Sequence, residues 1–228
     1  MGRIFAISDI HGCFRTFQQL LFNVIHLQKE DTLFLLGDYI DRGPDSKGVI
    51  DTIIGLQRDG YDVRSILGNH ESMLIRSIES GLYYDLSVWL DIGGRATLKS
   101  YGVEHPADIP IEHLNFIKVL PLCLTSETHV FVHAGLNFCL EDPLKETGQD
   151  FMLWDRMNLG VEPDKIGDRR VIAGHTVMDI DEIVESLKSN FIQLDNGCYM
   201  GGAFHGKGNL VALELKSGEL FVQEKIDS

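Results

Sequence analysis

Residues 32–43 read TLFLLGDYIDRG, and their interpretation decides the fold. The run Thr32 to Leu36 is apolar and strand-like, and Gly37 ends it in a short turn that carries Asp38, Asp41 and Arg42. Two acids and one base therefore crowd the end of a buried strand. A folded chain accepts such a cluster only if something compensates the charges.

Outward from this stretch the same arrangement recurs. GRIFAISD (2–9) reads as a strand, and CFRTFQQLLFNVIHL (13–27) as a helix with Phe14, Phe17, Leu21, Val24 and Ile25 on one face. DSKGVIDTIIGLQRDG (45–60) reads as a second helix with capping residues at its start and Gly60 beyond its end. YDVRSILGN (61–69) is a third strand and HESMLIRSIESG (70–81) a third helix. Alternation of this kind implies parallel pairing with right-handed crossovers.

The second half differs. THVFVHAG (128–135), RRVIAGHT (169–176) and NFIQLDNG (190–197) are short apolar runs ending in polar clusters, and NLVALELKSGELFVQE (209–224) alternates about Ser217-Gly218 like a β-hairpin. Residues 81–120 read as largely helix and loop, and residues 137–168 as acidic and weakly periodic. No repeat or linker divides the chain, so one α/β domain over residues 1–228 is expected.

Composition narrows the function. The 228 residues carry 34 acids against 20 Lys and Arg, a formal net charge of −14. That balance argues against broad binding of nucleic acid or anionic membrane. Some of the surplus is solvated surface; some carboxylates could be neutralised by bound cations. No run approaches the about 20 apolar residues of a membrane span, and the N-terminus enters strand-like sequence without a leader pattern, which leads us to expect a cytoplasmic protein. Cys13, Cys123, Cys139 and Cys198 are scattered without a CxxC pair, so neither a disulfide framework nor a structural zinc site is expected.

Five turns follow strands and deliver His, Asp or Asn: SDIHG (8–12), GDYIDRG (37–43), GNHE (68–71), VHAG (132–135) and AGHT (173–176). Ligands of open α/β sheets gather at strand C-terminal ends. The candidate donors are Asp9, His11, Asp38, Asn69, His133 and His175. Any one strand-end Asp or His is more often a turn former than a ligand. Taken together, Asp9, Asp38 and Asp41 at adjacent buried strand ends would each bear a desolvation cost on the order of several kcal/mol, which cations relieve. Mixed oxygen and imidazole donors suit Mn, Fe or Zn better than Mg or Ca. A pair of such ions about 3.5–4 Å apart clamps the oxygens of an in-line displacement, the chemistry of phosphate ester hydrolysis.

In this order the five motifs resemble the metal-dependent phosphoprotein phosphatases of the calcineurin-like metallophosphoesterase superfamily. GGRATLKSYG (93–102), FMLWDR (151–156) and LDNGCYMGG (194–202) resemble its bacterial branch. The resemblance implies two mixed β-sheets packed as a sandwich and flanked by helices. It implies two divalent ions, Mn2+ foremost, with Asp9 and His11 on the first, Asp38 bridging, and Asn69, His133 and His175 on the second. It further implies direct attack on phosphorus by a metal-bound hydroxide, His70 as proton donor to the leaving oxygen, Asp41 as the carboxylate orienting it, and Arg42 and Arg156 as phosphate grips. Tyr199 lies where relatives place a phosphate-contacting aromatic.

Plainer roles stand beside these. Arg42 could pair with Asp41, and Arg156 with Asp155. Glu71 reads as a helix N-terminal charge or a support for the ligands; Trp89 and Trp154 read as packing anchors, the latter placed to position Arg156. His26, His105, His113, His129 and His205 read as surface or structural. The Gly-rich stretch 203–209 reads as a mobile loop that could bring His205 or Lys207 to substrate.

The main functional expectation is a serine/threonine protein phosphatase acting on a phosphorylated protein or a small phosphoester, favoured by the DRG of residues 41–43. The alternative is a symmetrical bis(5'-nucleosyl)-tetraphosphatase or other nucleotide phosphohydrolase. A catalytically silent metal-binding scaffold ranks last, because His70, Asp41 and Arg42 are all present.

Overall fold

The computed structural model describes residues 2–157, 160–203 and 205–228. Strands β1 (Ile4–Ile7), β2 (Thr32–Leu35) and β3 (Asp62–Ser65) pair in parallel, as their alternation with helices predicts. Strands β8 (Asn209–Glu214) and β9 (Leu220–Glu224) form the expected hairpin and extend the sheet antiparallel to β1, giving the order β3-β2-β1-β8-β9. Glu214 pins the hairpin by accepting the Lys216 and Ser217 N–H groups at 3.1 and 2.6 Å.

The second sheet runs β4-β5-β6-β7. Its parallel strands are β5 (His129–Val132), β6 (Arg170–Ala173) and β7 (Phe191–Gln193). The edge strand β4 (Cys123–Thr125) is antiparallel to β5 and was not expected: three residues are too few for a period to register.

Period-2 alternation distributes each strand between two layers. Ala6 and Phe34 face the second sheet, where Phe34 stacks on Phe131 with ring centroids 3.7 Å apart, and Ile66, Ile172, Ile192 and Val211 fill the same interior. Phe5, Ile7, Leu33 and Leu35 face outward onto Phe17, Leu20, Leu21, Val49, Ile50 and Ile53. These come from α1 (Phe14–Gln19) with its wider continuation Leu20–Val24, and from α2 (Ser46–Arg58), whose start is capped by Asp45 accepting the Gly48 N–H at 2.8 Å. The result is two mixed sheets face to face, flanked by helices. Helix α3 (Asn69–Glu79) is the third helix read from the sequence, and α4 (Tyr83–Trp89), α5 (Arg95–Tyr101) and α6 (Ile111–Lys118) occupy over half of the stretch 81–120 read as helix and loop. The four cysteines form no disulfide, and among the described residues no helix is long and apolar enough to cross a membrane.

Candidate metal and phosphate site

The loops after the C-terminal ends of β1, β2, β3, β5 and β6 carry the six donors expected from the sequence, and burial of these side chains is nearly complete. Asp9, His11, Asp38, Asn69, His133 and His175 are each at most 6% exposed. The backbone bends sharply to aim them. Of the seven non-glycine residues described with positive φ, five are His11, Asp38, Asp41, Arg42 and His175. Each such residue costs on the order of 1–2 kcal/mol, so strain is concentrated where the polar groups converge.

Hydrogen bonds fix the tautomers. His11 Nδ1 lies 2.9 Å from the Ile40 carbonyl and His133 Nδ1 2.8 Å from the Leu36 carbonyl, so in each ring Nδ1 donates and Nε2 keeps its lone pair. The His11 Nε2 lies 3.5 Å from Asp38 Oδ2, and the His133 Nε2 3.5 Å from Asp38 Oδ1. Asn69 Oδ1 sits 2.8 Å from His133 Nε2 and 3.0 Å from His175 Nδ1, while His175 Nε2 is buried without any hydrogen-bond partner. His11, Asp38 and His70, and separately Asp38, His133 and His175, bring donor atoms within 4.8 Å of one another. Asp9 belongs to neither group; both its oxygens accept the His175 N–H at 3.1 Å.

Electrostatics make the same point. Burial lowers His11 well below the usual histidine value, with His70 adding to the shift, and burial with His133 beside it brings His175 down to about 3. These imidazoles are neutral, with lone pairs free to donate. Burial opposes the charge on Asp38, yet His133, His70 and His11 hold its carboxyl below the ordinary range. Burial drives Asp9 well above that range, with Asp195 and Asp38 pushing the same way. Lone pairs of Asn69, His133 and Asp38 thus face one another with no proton to share, beside a carboxyl whose charge is opposed by burial, Asp195 and Asp38 more than Arg42 relieves it. Divalent cations satisfy both conditions, so the residues fit the metals that such a donor set implies.

His70 presents the opposite case. Its Nδ1 lies 2.7 Å from Asp41 Oδ2 and its Nε2 3.9 Å from Asp38 Oδ2. Burial disfavours its charge, but Asp38 and Asp41 outweigh burial and raise its pKa. Trp89, read from the sequence as a packing anchor, also donates its indole N–H to Asp41 Oδ2 at 3.0 Å.

A cleft of 310 Å³ opens onto this constellation, lined by Asp38, Asn69, His70 and His175 together with Arg42, Arg156, Tyr199 and Trp154. Arg42 Nη1 approaches His11 Nε2 at 3.0 Å and its guanidinium lies 4.4 Å over the Tyr199 ring, so it reaches the cleft while Asp41 is engaged elsewhere. Trp154 is 44% exposed and stands edge-on to His175, a cleft wall and not the packing anchor expected. The reach of His205 or Lys207 toward substrate is corrected too. Asn196 ties the stretch 203–209 down, donating to the Gly206 carbonyl and accepting from the Asn209 N–H. Lys207 turns toward Asp179 at 3.9 Å, and neither it nor His205 lines the cleft; Phe204 lies outside the described residues.

Glu71 takes the supporting part read for it from the sequence, and two further residues, Asp195 and Thr97, carry parts that the sequence did not announce. Glu71 is fully buried and accepts backbone N–H groups from Asp38, Tyr39, Ile40 and Gly68. Asp195 is buried close enough to raise Asp9, and its own carboxyl is pushed up to about 6 by burial and by Asp38. Thr97 reaches Asp41 from 56 residues away. Only Asp195 had a visible signal, as another acid two residues beyond a strand.

Comparison with known proteins agrees with this geometry. The family described as calcineurin-like phosphoesterase matches residues 2–191. A symmetrical bis(5'-nucleosyl)-tetraphosphatase of Erwinia tasmaniensis is 34% identical over 134 residues, 58% of this chain but 44% of that protein, so the chain spans under half of that relative's length. Serine/threonine-protein phosphatase 1 of Salmonella typhimurium is 29% identical over 160 residues, covering 68% of this chain and 69% of its own. A solved chain provisionally described as a diadenosine tetraphosphatase superposes over 100% of this chain and 95% of its own, with a TM-score of 0.68 at 24% identity, which shows the shared fold. With its sandwich, strand-end donors and family match in agreement, the chain belongs to the calcineurin-like phosphoesterases, hydrolases of phosphoester bonds that use divalent metal ions.

Proposed function

We propose that the chain hydrolyses a dinucleoside tetraphosphate, and that Asp9, His11, Asp38, Asn69, His133 and His175 would hold two divalent ions, Mn2+ foremost, Asp38 being the residue common to both donor groups. The observation that carries the reading is the opening of one cleft onto the donor cluster, the His70–Asp41 pair and two arginines at once. When bound, the ions supply Lewis acidity and an activated water for in-line displacement at phosphorus.

The protein's own groups do the rest. Arg42 and Arg156 offer planar guanidinium forks to the phosphate oxygens. Asp41 takes the Nδ1–H of His70, which leaves Nε2–H as the proton delivered to the departing oxygen. Water adds to phosphorus as the P–O bond to the leaving nucleotide breaks. The names of relatives such as the Erwinia protein support the substrate, and the aromatic walls Tyr199 and Trp154 offer planar surfaces beside the phosphate grips.

A second reading, serine/threonine protein phosphatase, is favoured by a different observation. A buried acid held charged by a carboxylate is of most use to an alkoxide leaving group, which is far more basic than a departing nucleotide phosphate. The Salmonella relative, matched along most of its length, points the same way.

The test is a comparison of kcat/KM on diadenosine tetraphosphate and on a phosphoserine and phosphothreonine peptide panel, after chelation and again after adding Mn2+. Chelation should abolish turnover and Mn2+ restore it, with the dinucleotide preferred. A phosphopeptide preference would transfer the assignment to the second reading, and turnover without metal would overturn both.

A further inference from the structure

We propose that the segment from Trp89 to Thr97 is a clamp that positions the acid pair, with Trp89 and Thr97 as positioning residues for His70. This rests on the proposed role of His70 as proton donor. The segment joins the end of α4 to α5 through a wide turn, Leu90–Gly94, and reaches the Asp41 turn from both of its ends.

Counting protons shows how tightly the contacts are committed. Thr97 donates its hydroxyl to Asp41 Oδ1 at 2.6 Å. Its oxygen accepts the Asp41 N–H at 2.9 Å, a hydrogen shared with Ser46 Oγ at 3.0 Å, and itself lies 3.0 Å from Ser46 Oγ, which must donate because the one Thr97 proton is already used. On the other oxygen, Oδ2, Asp41 receives the Trp89 indole N–H at 3.0 Å and His70 Nδ1 at 2.7 Å. Asp41, Ser46, Trp89 and Thr97 are each 0% exposed, so water cannot replace a lost partner. One threonine thus holds both the backbone and the carboxylate of the residue that orients the imidazole.

The glycines between the two contacts make the approach possible. Gly93, at φ 138°, accepts the Arg42 N–H at 3.3 Å, and a Cβ there would lie 2.8 Å from the Arg42 nitrogen. A Cβ on Gly94 would lie 2.5 Å from the Trp89 ring. The pair is compressed between the Asp41–Arg42 turn and the indole, so the GGRATLKSYG stretch sets the distance between turn and clamp. A packing role alone does not require a hydroxyl bonded to both ends of Asp41, and this difference can be measured.

The experiment compares kcat and KM on phenyl phosphate, whose leaving group needs a proton, and on p-nitrophenyl phosphate, which needs it far less. The Mn2+-loaded variants are Thr97→Val, Thr97→Ser, Trp89→Phe and His70→Asn. Thr97→Val should lose about tenfold or more in kcat on phenyl phosphate and about threefold or less on p-nitrophenyl phosphate, with KM little changed. Thr97→Ser should recover most of that loss, and Trp89→Phe, which keeps an aromatic ring and drops the donor, should share the bias if Thr97→Val does not fold. Equal losses on both substrates, or no recovery with serine, would overturn the inference. His70→Asn separates the failures: if it discriminates the substrates and the Thr97 and Trp89 variants do not, the clamp alone falls; if it does not discriminate, the acid assignment falls and the clamp with it.

Discussion

The Glu71 carboxylate closes the Asp38 turn from beneath, its Oε2 accepting the Asp38 N–H at 2.9 Å while Oε1 takes the N–H groups of Tyr39 and Ile40 at 2.8 and 3.1 Å. Burial, with Asp38 adding to it, pushes the Glu71 carboxyl up to about 8. Its surroundings argue for the charged form nonetheless. The hydrogen-bond partners of the two oxygens are all N–H donors, so an acid proton would find no acceptor among them. Glu71→Gln sets an amide N–H2 against those donors and should cost about 3 kcal/mol in urea unfolding, with weaker Mn2+ binding by calorimetry. Unchanged stability and Mn2+ affinity would show that the carboxylate does not hold the turn.

Gly174 offers a test of Asp9. A Cβ at this position would come within 2.1 Å of Asp9 Oδ1, and the three nearest atoms it would meet all belong to that carboxylate. The φ of Gly174 is not in the positive region, so alanine meets no backbone strain there. Gly174→Ala should therefore fold as the parent does and displace Asp9 from the His175 N–H. Activity at fixed Mn2+ should fall on the order of 10–100-fold, with partial recovery at higher Mn2+. An unchanged Mn2+ dependence would exclude Asp9 from the metal site.

How much of this was legible depends on distance along the chain. Asp38 and His133 follow strands apolar on both faces, so a local pattern announces where each strand stops and what it carries there. Thr97 and Trp89 lie 56 and 48 residues from Asp41. No periodicity reports a hydrogen bond across that span, and an indole with one donor looks like any core tryptophan. Lys207 misled for another reason: charge and glycine neighbours suggested a reach toward substrate, but Asn196 ties the loop toward Asp179. β4 escaped because three residues, Cys-Leu-Thr, borrow their strand character from the Val130–Val132 backbone beside them.

His129 sets a pH dependence away from the site. Burial, with Arg170 opposite it across the β5–β6 pair, lowers the imidazole to about 4. The folded form therefore refuses a proton that the unfolded chain accepts near its ordinary value of about 6.5. The stability this group contributes is complete above that value and is lost as pH falls toward about 4. His129→Gln cannot titrate, so the difference in thermal midpoint between parent and variant should shift against the parent from pH 7.5 to pH 4.5. A constant difference across that window would exclude His129 as a source of acid sensitivity.

Trp154 discriminates between the two proposed substrates. Its ring stands 6.0 Å from that of His175, nearly perpendicular, and forms the wall between the phosphate cleft and a neighbouring depression of 340 Å³ lined by Met73, Arg76, Tyr84, Asp85 and Val88. A nucleobase leaving the cleft on that side meets an aromatic face, and such stacking is worth about 1–3 kcal/mol per base. Trp154→Ala should therefore raise KM for diadenosine tetraphosphate by about tenfold while leaving KM for p-nitrophenyl phosphate within about twofold, since that substrate reaches only the arginines and the donor cluster. If both KM values rise together, the indole acts by holding His175 in place and the depression takes no base. If neither moves and phosphopeptide turnover falls instead, the wall belongs to a peptide-binding surface, which would favour the protein phosphatase reading.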